Sequence, residues 1–389
     1  MPTFDGGLAR ARTLARDCFG HTTLRLHQLK VLGPLLSGRS VIAVLPTGAG
    51  KSLCYQLPAL MTDGLTLVLS PLVALMQDQV GKLRERTLPA VYVNSLLEPA
   101  ERAAALNAVY TKRATTLYCA PERLESLIPA LNTHHVRVSF LAVDEAHCIT
   151  AWGGEFRTAY RELGRYRYLL GDPVTLAVTG TATAATRTEI AAVLRIPHAD
   201  VIVTSFDRPK LRFTVERVAD DRQRFRRVRE LMRSAGGQGI VYAPTRRLAE
   251  LVSRALRRSG FHAAPYHAGL PAEARRDVLT AFLGDELPIV VGTTAFGMGI
   301  DKANVRRVVH WGPSRSLEAY YQEAGRAGRD GRHALCTVLW RPADLAHTAT
   351  DPAMKRFLTG HGCRRRTLLG YFGESLGRCS GCDRCGLPD

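Results

Sequence analysis

A glycine-rich segment that follows an apolar run has the composition of a phosphate-binding loop. The run SVIAVL (40–45) has the apolar character of a buried strand, and TGAGKS (47–52) follows it, ahead of a helix-like stretch. Gly48 and Gly50 allow backbone N–H groups to approach phosphate oxygens, and the start of a helix adds the positive end of its dipole. The pattern predicts a P-loop, although Leu45 stands where the full motif has glycine. A glycine turn before an amphipathic helix is the alternative interpretation.

The side chains around this loop fit the hydrolysis of ATP. Lys51 would reach the β- and γ-phosphates, and the Ser52 hydroxyl would bind Mg²⁺. In LAVDEAH (141–147), two carboxylates end an apolar run, where they are costly to bury unless they do chemistry. Asp144 suits the Mg²⁺ site and Glu145 suits polarising the attacking water, whereas a cap for the following helix is the structural alternative. The residues predicted to contact ATP at the loop are Thr47, Gly48, Gly50, Lys51 and Ser52.

Two arginines lie among glycines in QEAGRAGRDG (322–331). Arg326 and Arg329 are three positions apart, so both would face the same side of a helical turn. The spacing of elements along the chain puts them in a different domain from the phosphate-binding loop. An arginine offered across a cleft would neutralise charge on the transferring phosphoryl group, as an arginine finger does. The alternative is a solvated surface turn.

Four cysteines near the C-terminus have the spacing of metal ligands. Three lie in CSGCDRC, and Cys363 lies 16 positions (379 minus 363) before the first of these. Four thiolates match a tetrahedral structural zinc site, although CxxCxxC also serves iron–sulfur clusters. Free thiols on a disordered tail are a third interpretation. The predicted Zn²⁺ ligands are Cys363, Cys379, Cys382 and Cys385.

Composition limits the classes of protein to which the chain can belong. Its 389 residues carry 53 Lys and Arg against 35 Asp and Glu, a formal net charge of +18, which favours a polyanion as partner. Apolar residues at 46% and aromatic residues at 7% exclude a disordered protein. No apolar run approaches the roughly 20 residues of a membrane span. Nine cysteines without a signal peptide at the start indicate a reducing compartment.

The elements that must position these side chains are strand-like apolar runs alternating with helix-like stretches, which is typical of parallel sheets covered by helices. The predicted strands are 40–45, 65–70, 90–93, 115–120, 139–144, 175–180, 239–243, 263–268, 288–293, 306–311 and 334–339. The pattern predicts two α/β domains in tandem, joined near SFDRPKLRF (205–213), where Pro209 and a charge cluster interrupt it. The predicted domains are 1–207, 208–342 and a short, basic, Cys-rich unit at 343–389.

Together these motifs, in this order, resemble the RecQ branch of the superfamily 2 helicases from about Phe19 to Cys385. The matching segments are FGHTTLRLHQ (19–28), TGAGKS (47–52), VLSPLVALMQDQV (68–80), YCAPERL (118–124), DEAHCITAWGGEFR (144–157), TGTAT (179–183), YHAGL (266–270), TTAFGMGID (293–301) and YYQEAGRAGRDG (320–331). The C-terminal CRRR…YFGE…CxxCxxC pattern also resembles the RecQ zinc-binding subdomain.

The resemblance implies roles for individual side chains. Arg25 and Gln28 would contact the adenine base of ATP. A second set would contact unpaired DNA or couple it to the ATP site: His147, Trp152, Phe156, Arg157 and Thr181. In the aromatic-rich loop that follows the DEAH motif, Gly154 stands where the family usually has histidine. Packing of its two aromatic rings in the core is the alternative role for that loop.

The resemblance also implies a fold and an activity. The family fold is α/β, with two tandem RecA-like P-loop domains and a small helical zinc-binding unit. Family members use ATP with Mg²⁺ to move 3′→5′ on single-stranded DNA and to separate duplexes, in DNA repair and recombination. We therefore expect ATP, Mg²⁺ and Zn²⁺ as cofactors, single-stranded, tailed or forked DNA as partner, and a cytoplasmic, nucleoid-associated protein. RNA stays open as a substrate, because such contacts are mostly to phosphates and stacked bases.

The sequence departs from typical family members near its end. It stops four residues (389 minus 385) after Cys385, whereas typical members continue into a winged-helix domain and often an HRDC domain, so we expect a short form. A DNA-stimulated ATPase or translocase that unwinds weakly is therefore one alternative. A non-enzymatic DNA-binding accessory protein is another, and the presence of all the catalytic side chains argues against it.

Overall fold

The structure is a computed structural model, and it describes residues 4–46, 48–71, 73–94, 97–151, 159–234, 237–297, 302–347 and 350–386. The chain divides into two units, Met1–Ser205 and Phe206–Asp389. No described helix is both long enough and apolar enough to cross a membrane.

The first unit alternates strands and helices along its described residues. Its strands are β1 (Val41–Val44), β2 (Leu65–Leu69), β3 (Ala90–Val93), β4 (Thr116–Cys119), β5 (Val138–Val143), β6 (Val174–Thr179) and β7 (Asp200–Val203). Its helices are α1 (Phe4–Phe19), α2 (Leu26–Leu36), α3 (Leu53–Ala59), α4 (Val73–Glu85), α5 (Pro99–Tyr110), α6 (Leu124–Thr133), α7 (Cys148–Ala151), α8 (Leu163–Leu169) and α9 (Ala184–Val193).

The strands of the first unit form a parallel sheet in the order β3-β4-β2-β5-β6-β1-β7. The central strands are apolar at nearly every position because both faces of the sheet are covered. Ile42 packs into the core on one face, whereas Val41 and Ala43 pack into the core on the other. Parallel strands end at the same edge, so β1, β5 and β6 bring the residues that follow them together.

The second unit repeats this alternation along its described residues. Its strands are β8 (Leu211–Arg217), β9 (Gln238–Tyr242), β10 (Ala263–Tyr266), β11 (Ile289–Gly292), β12 (Val305–His310) and β13 (Ala334–Trp340). Its helices are α10 (Asp221–Arg233), α11 (Arg246–Arg258), α12 (Ala272–Leu283), α13 (Leu317–Ala324), α14 (Pro342–His347), α15 (Pro352–Thr359) and α16 (Arg364–Tyr371). The sheet is parallel, in the order β10-β11-β9-β12-β13-β8.

Every strand predicted from the sequence is present within two residues of its predicted bounds. Two further strands were not predicted, and both are edge strands: β7 (Asp200–Val203) and β8 (Leu211–Arg217). β8 begins inside the segment 205–213 that was interpreted as the junction between domains. The Cys-rich residues 350–386 lie in the second unit, where α16 packs against β8 and α13, and their separation as a third domain stays a prediction.

Candidate nucleotide site and metal centre

The phosphate-binding loop leaves β1 and leads into α3 with two glycines in a left-handed conformation. Gly48 has φ +83° and Gly50 has φ +77°, a region that side-chain-bearing residues adopt at a cost. A Cβ atom on Gly50 would also lie 2.6 Å from Gln28 Nε2. Glycine at both positions is therefore a requirement of this loop conformation. Thr47 lies outside the described residues.

Side chains from the start of α2 hold the carbonyl groups of this loop. Arg25 Nη1 donates to Gly48 O at 2.7 Å, and His27 Nε2 lies 2.8 Å from Ala49 O. Gln28 Nε2 donates to Gly50 O at 3.2 Å, and its Oε1 accepts from the Arg25 backbone N–H at 2.8 Å. The loop is thus fixed from its carbonyl side.

The roles of these α2 residues toward adenine stay predictions, because the contacts in the structure are to the loop backbone. His27 was not singled out from the sequence. The signal that could have found it is its place beside Gln28, in the segment already assigned to the nucleotide.

Lysine and carboxylate meet at the carboxyl edge of the first sheet. Lys51 Nζ lies 3.7 Å from Glu145 Oε1, and both side chains are mostly buried. Asp144 follows β5 directly and is 6% exposed. Burial first, then the neighbouring Glu145 carboxylate, raise the pKa of Asp144 to about 6, while Lys51 opposes the shift. Lys51, Asp144 and Glu145, which the sequence predicts to act on phosphate, Mg²⁺ and water, therefore lie together at this edge of the sheet.

A buried tyrosine joins the two predicted Mg²⁺ ligands. The Tyr55 hydroxyl donates to Asp144 Oδ2 at 3.3 Å and also hydrogen-bonds with Ser52. Tyr55 is 1% exposed, and burial raises its pKa well above the ordinary value, so it stays a neutral donor. Tyr55 was not singled out from the sequence, although it lies three positions after Ser52 and a helix places such residues on one face.

Glu145 has a backbone conformation that is unusual for its residue type. Its φ is +48°, which costs a side-chain-bearing residue roughly 1–2 kcal/mol. The Glu145 backbone N–H donates to Asp144 Oδ1 at 2.9 Å, and its carboxylate lies between Lys51 and His147, with Oε2 3.4 Å from His147 Nδ1. Strain of this kind concentrates at functional sites.

A hydrogen-bonded chain leads from Glu145 to the motif at the end of β6. His147 Nδ1 lies 2.9 Å from Thr179 Oγ1, and Thr179 Oγ1 donates to Thr181 O at 3.0 Å. His147 is 7% exposed and Thr181 is 1% exposed, which favours coupling over direct DNA contact for both. The aromatic-rich loop residues Trp152, Phe156 and Arg157 lie outside the described residues, and their roles stay predictions.

The two arginines of the second unit lie in turns that follow α13. The helical turn expected for them is wrong in part, because α13 ends at Ala324 and Gly328, which lies between them, has a left-handed φ of +59°. The Arg326 guanidinium packs over Gly297, where a Cβ atom would lie 2.7 Å from it. Their approach to the phosphate-binding loop of the first unit stays a prediction.

The four C-terminal cysteines form one cluster, with all their Sγ atoms within 4.8 Å of one another: Cys363, Cys379, Cys382 and Cys385. Sulfur atoms about 2.3 Å from a tetrahedral Zn²⁺ lie about 3.8 Å apart, and Cys382 Sγ lies 4.0 Å from Cys363 Sγ. The backbone N–H groups of Arg366 and Gly381 donate to Cys363 Sγ and Cys379 Sγ, each at 3.4 Å. The donor set therefore fits Zn²⁺.

The backbone around Cys382 favours the thiolate form of this one cysteine, whereas burial raises the pKa of Cys379 and a hydrogen bond with Cys363 raises that of Cys385. Burial raises the pKa of the Cys382 thiol. Hydrogen bonds from the backbone N–H groups at Arg384, Arg364 and Cys385 lower it by more, so the net pKa is about 7, below the ordinary value. Beside it, the buried Arg364 guanidinium donates to Asp383 at 3.1 Å. The Asp383 backbone N–H in turn donates to the Phe213 carbonyl on β8 at 3.1 Å, which fastens the cluster to the edge of the second sheet.

Three family models match the chain. They are the DEAD/DEAH box helicase over 25–190, the helicase conserved C-terminal domain over 223–331 and RecQ zinc-binding over 347–386. Among solved structures, the Mycobacterium smegmatis helicase Lhr bound to ssDNA and AMP-PNP is 24% identical with a TM-score of 0.70, and the match covers 88% of this chain and 49% of that one. This likeness shows the fold of two tandem RecA-like domains.

Curated relatives match over nearly the whole chain. The ATP-dependent DNA helicase RecQ of Pasteurella multocida (strain Pm70) is 39% identical over 94% of this chain and 61% of the relative. The protein of the same name from Bacillus subtilis (strain 168) is 37% identical over 96% of this chain and 67% of the relative. The chain thus spans about three fifths to two thirds of the length of these relatives. With all three models in order and this similarity, the chain belongs to the RecQ family of helicases.

Proposed function

We propose that the protein is an ATP-dependent DNA helicase that moves 3′→5′ along single-stranded DNA and unwinds tailed or forked duplexes. The observation that carries the proposal is the meeting of Lys51, Asp144 and Glu145 at the end of a RecA-like sheet, with Lys51 Nζ 3.7 Å from Glu145 Oε1. The relatives named as ATP-dependent DNA helicases support DNA as the substrate. A role in DNA repair and recombination is part of the same proposal.

In this proposal each side chain of the first unit has a separate task in hydrolysis. Lys51 binds the β- and γ-phosphates, and Ser52 and Asp144 hold Mg²⁺. Glu145 orients the attacking water. Because Lys51 and Glu145 pair in the structure, bound phosphate would compete for the ammonium group and release the carboxylate for the water. Arg326 and Arg329 stabilise charge on the transferring phosphoryl group.

Coupling to DNA would run through the segment that follows the DEAH motif. The chain of contacts from Glu145 through His147 to Thr179 gives any movement of that segment a route to the water-orienting carboxylate. Trp152 and Phe156 would stack on unpaired bases, with Arg157 on phosphate or base. The formal net charge of +18 supports a polyanionic partner. The four cysteines would hold one structural Zn²⁺, which supplies folding energy to the C-terminal unit.

The test combines ATP hydrolysis with strand displacement. ATP turnover is measured alone, with single-stranded DNA and with single-stranded RNA, beside unwinding of duplexes that carry a 3′ or a 5′ tail. We expect DNA-stimulated turnover and unwinding from the 3′ tail, with Glu145→Gln slower by roughly 10²-fold or more in both assays. DNA-stimulated turnover without strand displacement would favour an ATPase or translocase that unwinds weakly, and DNA binding without turnover would favour an accessory protein. Stimulation by RNA alone, or unwinding from the 5′ tail, would contradict the proposed substrate or polarity.

A further inference from the structure

The residues that open the second unit are held by its Cys-rich end. We name residues 206–211, which follow Ser205, the junction segment. The Phe206 backbone N–H donates to Glu374 Oε2 at 2.7 Å. The Phe206 ring stacks on Phe372 with centroids 4.4 Å apart and planes 13° apart, and the Phe206 carbonyl accepts from the Tyr321 hydroxyl at 2.7 Å. The start of the segment is thus fixed on both its donor and its acceptor side.

A fully buried arginine from α16 holds the rest of the junction segment. Arg365 is 0% exposed, and its guanidinium donates to the Asp207 carboxylate and to the Leu211 carbonyl. It also donates to the Arg208 carbonyl at 2.9 Å. A buried cation requires several oxygen acceptors, here three, to offset the free-energy cost of losing its hydration. The backbone of Arg208 is therefore fixed relative to α16 (Arg364–Tyr371).

The side chain of Arg208 reaches the turn that carries the two candidate catalytic arginines. Its guanidinium donates to Gly325 O at 3.3 Å, to Ala327 O at 3.1 Å and to Gly328 O at 3.3 Å. These carbonyl groups follow the end of α13, where the helix no longer supplies hydrogen-bond partners. The first two carbonyl groups belong to the residues on either side of Arg326. The Arg208 side chain therefore holds the backbone on both sides of that arginine.

We propose that Arg208 is a positioning residue for ATP hydrolysis, which acts through the backbone carbonyl groups of 325–328 on Arg326 and Arg329. The inference rests on the proposed hydrolytic role of those two arginines. Because Arg365 holds the carbonyl of Arg208 while Arg208 holds the turn, Arg208 links α16 of the Cys-rich unit to that turn. The Cys-rich unit thereby supports hydrolysis as well as any contact with DNA.

The geometry of the guanidinium explains why this position requires arginine. A planar fork with several N–H donors can serve three carbonyl groups at once, whereas a lysine ammonium on its flexible stem acts as a single point charge. A charged group that stabilises a transition state must be held in place closely, since a misplacement of about 1 Å costs roughly 10²-fold in rate. Arg208→Lys therefore keeps the positive charge and a long side chain but loses the simultaneous hydrogen bonds to the three carbonyl groups of the turn.

The test is a comparison of variants of the full chain in DNA-stimulated ATP hydrolysis. The variants are Arg208→Ala, Arg208→Lys, Arg326→Ala, the double variant of Arg208→Ala with Arg326→Ala, and the matched control Arg254→Ala, on the exposed side of α11. We expect kcat to fall about 10-fold or more in both Arg208 variants, with KM for ATP changed less than about 3-fold. The loss in the double variant should be smaller than the product of the two single losses, because part of the effect of Arg208 passes through Arg326. The control should match wild type.

Each outcome supports or overturns one claim. Normal turnover in both Arg208 variants, beside slow turnover in Arg326→Ala, would overturn the inference and leave the proposed function intact. Additive losses in the double variant would mean that Arg208 acts on its own, which also overturns it. A loss of kcat that only follows a loss of folded protein, measured by thermal denaturation and bound zinc, would show a purely structural role. A wild-type chain without ATP turnover would instead remove the proposed function.

Discussion

Among single side chains, Tyr55 influences the proton affinity of Asp144. Burial and Glu145 raise the pKa of Asp144 to about 6, and Lys51 and the Tyr55 hydroxyl lower it. The carboxylate is therefore ionised above about pH 6 and takes up a proton below it, which would remove a proposed ligand for Mg²⁺. We predict that ATP turnover falls as the pH drops through about 6, and that Tyr55→Phe moves this fall to higher pH.

The measurement is the pH dependence of kcat at saturating ATP and at two Mg²⁺ concentrations. A higher Mg²⁺ concentration should move the fall to lower pH, because the metal competes with the proton for Asp144. Tyr110→Phe, a half-buried tyrosine whose ring stacks on His134 instead, serves as the matched control. An unchanged profile in Tyr55→Phe would sink this role for its hydroxyl.

Lys51 and Glu145 should fail in different ways when changed. Lys51→Ala removes the charge that meets the phosphates, so both ATP affinity and turnover should be lost. Glu145→Gln keeps the shape of the side chain, so ATP should still bind while turnover slows roughly 10²-fold or more. Equilibrium binding of a fluorescent ATP analogue, run beside turnover, separates the two effects. Near-normal turnover in Glu145→Gln would rule out its task with the water.

The residues that the sequence identified are those whose chemistry is visible in one short segment. The P-loop and the DEAH motif are such segments, and the structure brings Lys51 and Glu145 together. Tyr55, His27 and Arg208 were missed because their roles arise from contacts with residues far away in the chain. In the sequence, a tyrosine in an apolar helix indicates burial only, and Arg208 is one charge in a cluster at a domain junction.

At the scale of elements, the packing of α16 should depend on metal binding by the four-cysteine cluster. Leu368, Leu369 and Phe372 are buried, with at most 4% exposure, and Phe372 packs on Phe206. We predict that elemental analysis finds about one zinc per chain. Removing the metal with a chelator should expose these apolar groups, because a structural metal contributes folding energy.

The readouts for the metal are thermal denaturation and the rate of proteolysis within residues 350–386, before and after chelation. Cys379→Ser should lose zinc, whereas Cys18→Ser, a half-buried cysteine outside the cluster, should keep it. Iron with visible absorbance would contradict the assignment in favour of an iron–sulfur cluster. Full metal content in Cys379→Ser would remove that residue from the ligand set.

Strands buried on both faces were predictable, whereas β7 and β8, two of the four edge strands of the described sheets, were not. A strand such as Val41–Val44 is a continuous apolar run because helices cover both of its sides. In β7 the apolar run covers only residues 201–203, and exposed and half-buried positions alternate along the strand, so the run is too short to be distinguished from a loop. In β8, charged residues interrupt the pattern at Arg212, Glu216 and Arg217. This strand depends on its neighbours β13 and α16, which lie far along the chain.

For the whole molecule, the excess of positive charge should dominate the affinity for DNA. Each phosphate that Lys or Arg neutralises releases counterions, so about six such contacts would cost on the order of 10³-fold in affinity between 50 and 200 mM salt. We predict a steep, log-linear loss of single-stranded DNA binding with salt, measured by fluorescence anisotropy. A blunt duplex of equal length is the control ligand. Tight binding to that duplex which does not change with salt would contradict the prediction.

The position of β8 has a consequence for folding of the protein during its synthesis on the ribosome. All strands of the first sheet lie between Val41 and Val203, so that sheet can close before the second unit has been synthesised. In the second unit the opposite holds, because β8 is made first but pairs with Ala334–Trp340, the last strand of its sheet. Until that partner emerges, β8 is an open strand edge, the kind of surface that recruits other nascent chains. Three charged residues interrupt the apolar pattern of this strand: Arg212, Glu216 and Arg217. These charges would protect the nascent chain from aggregation until Ala334–Trp340 has been synthesised.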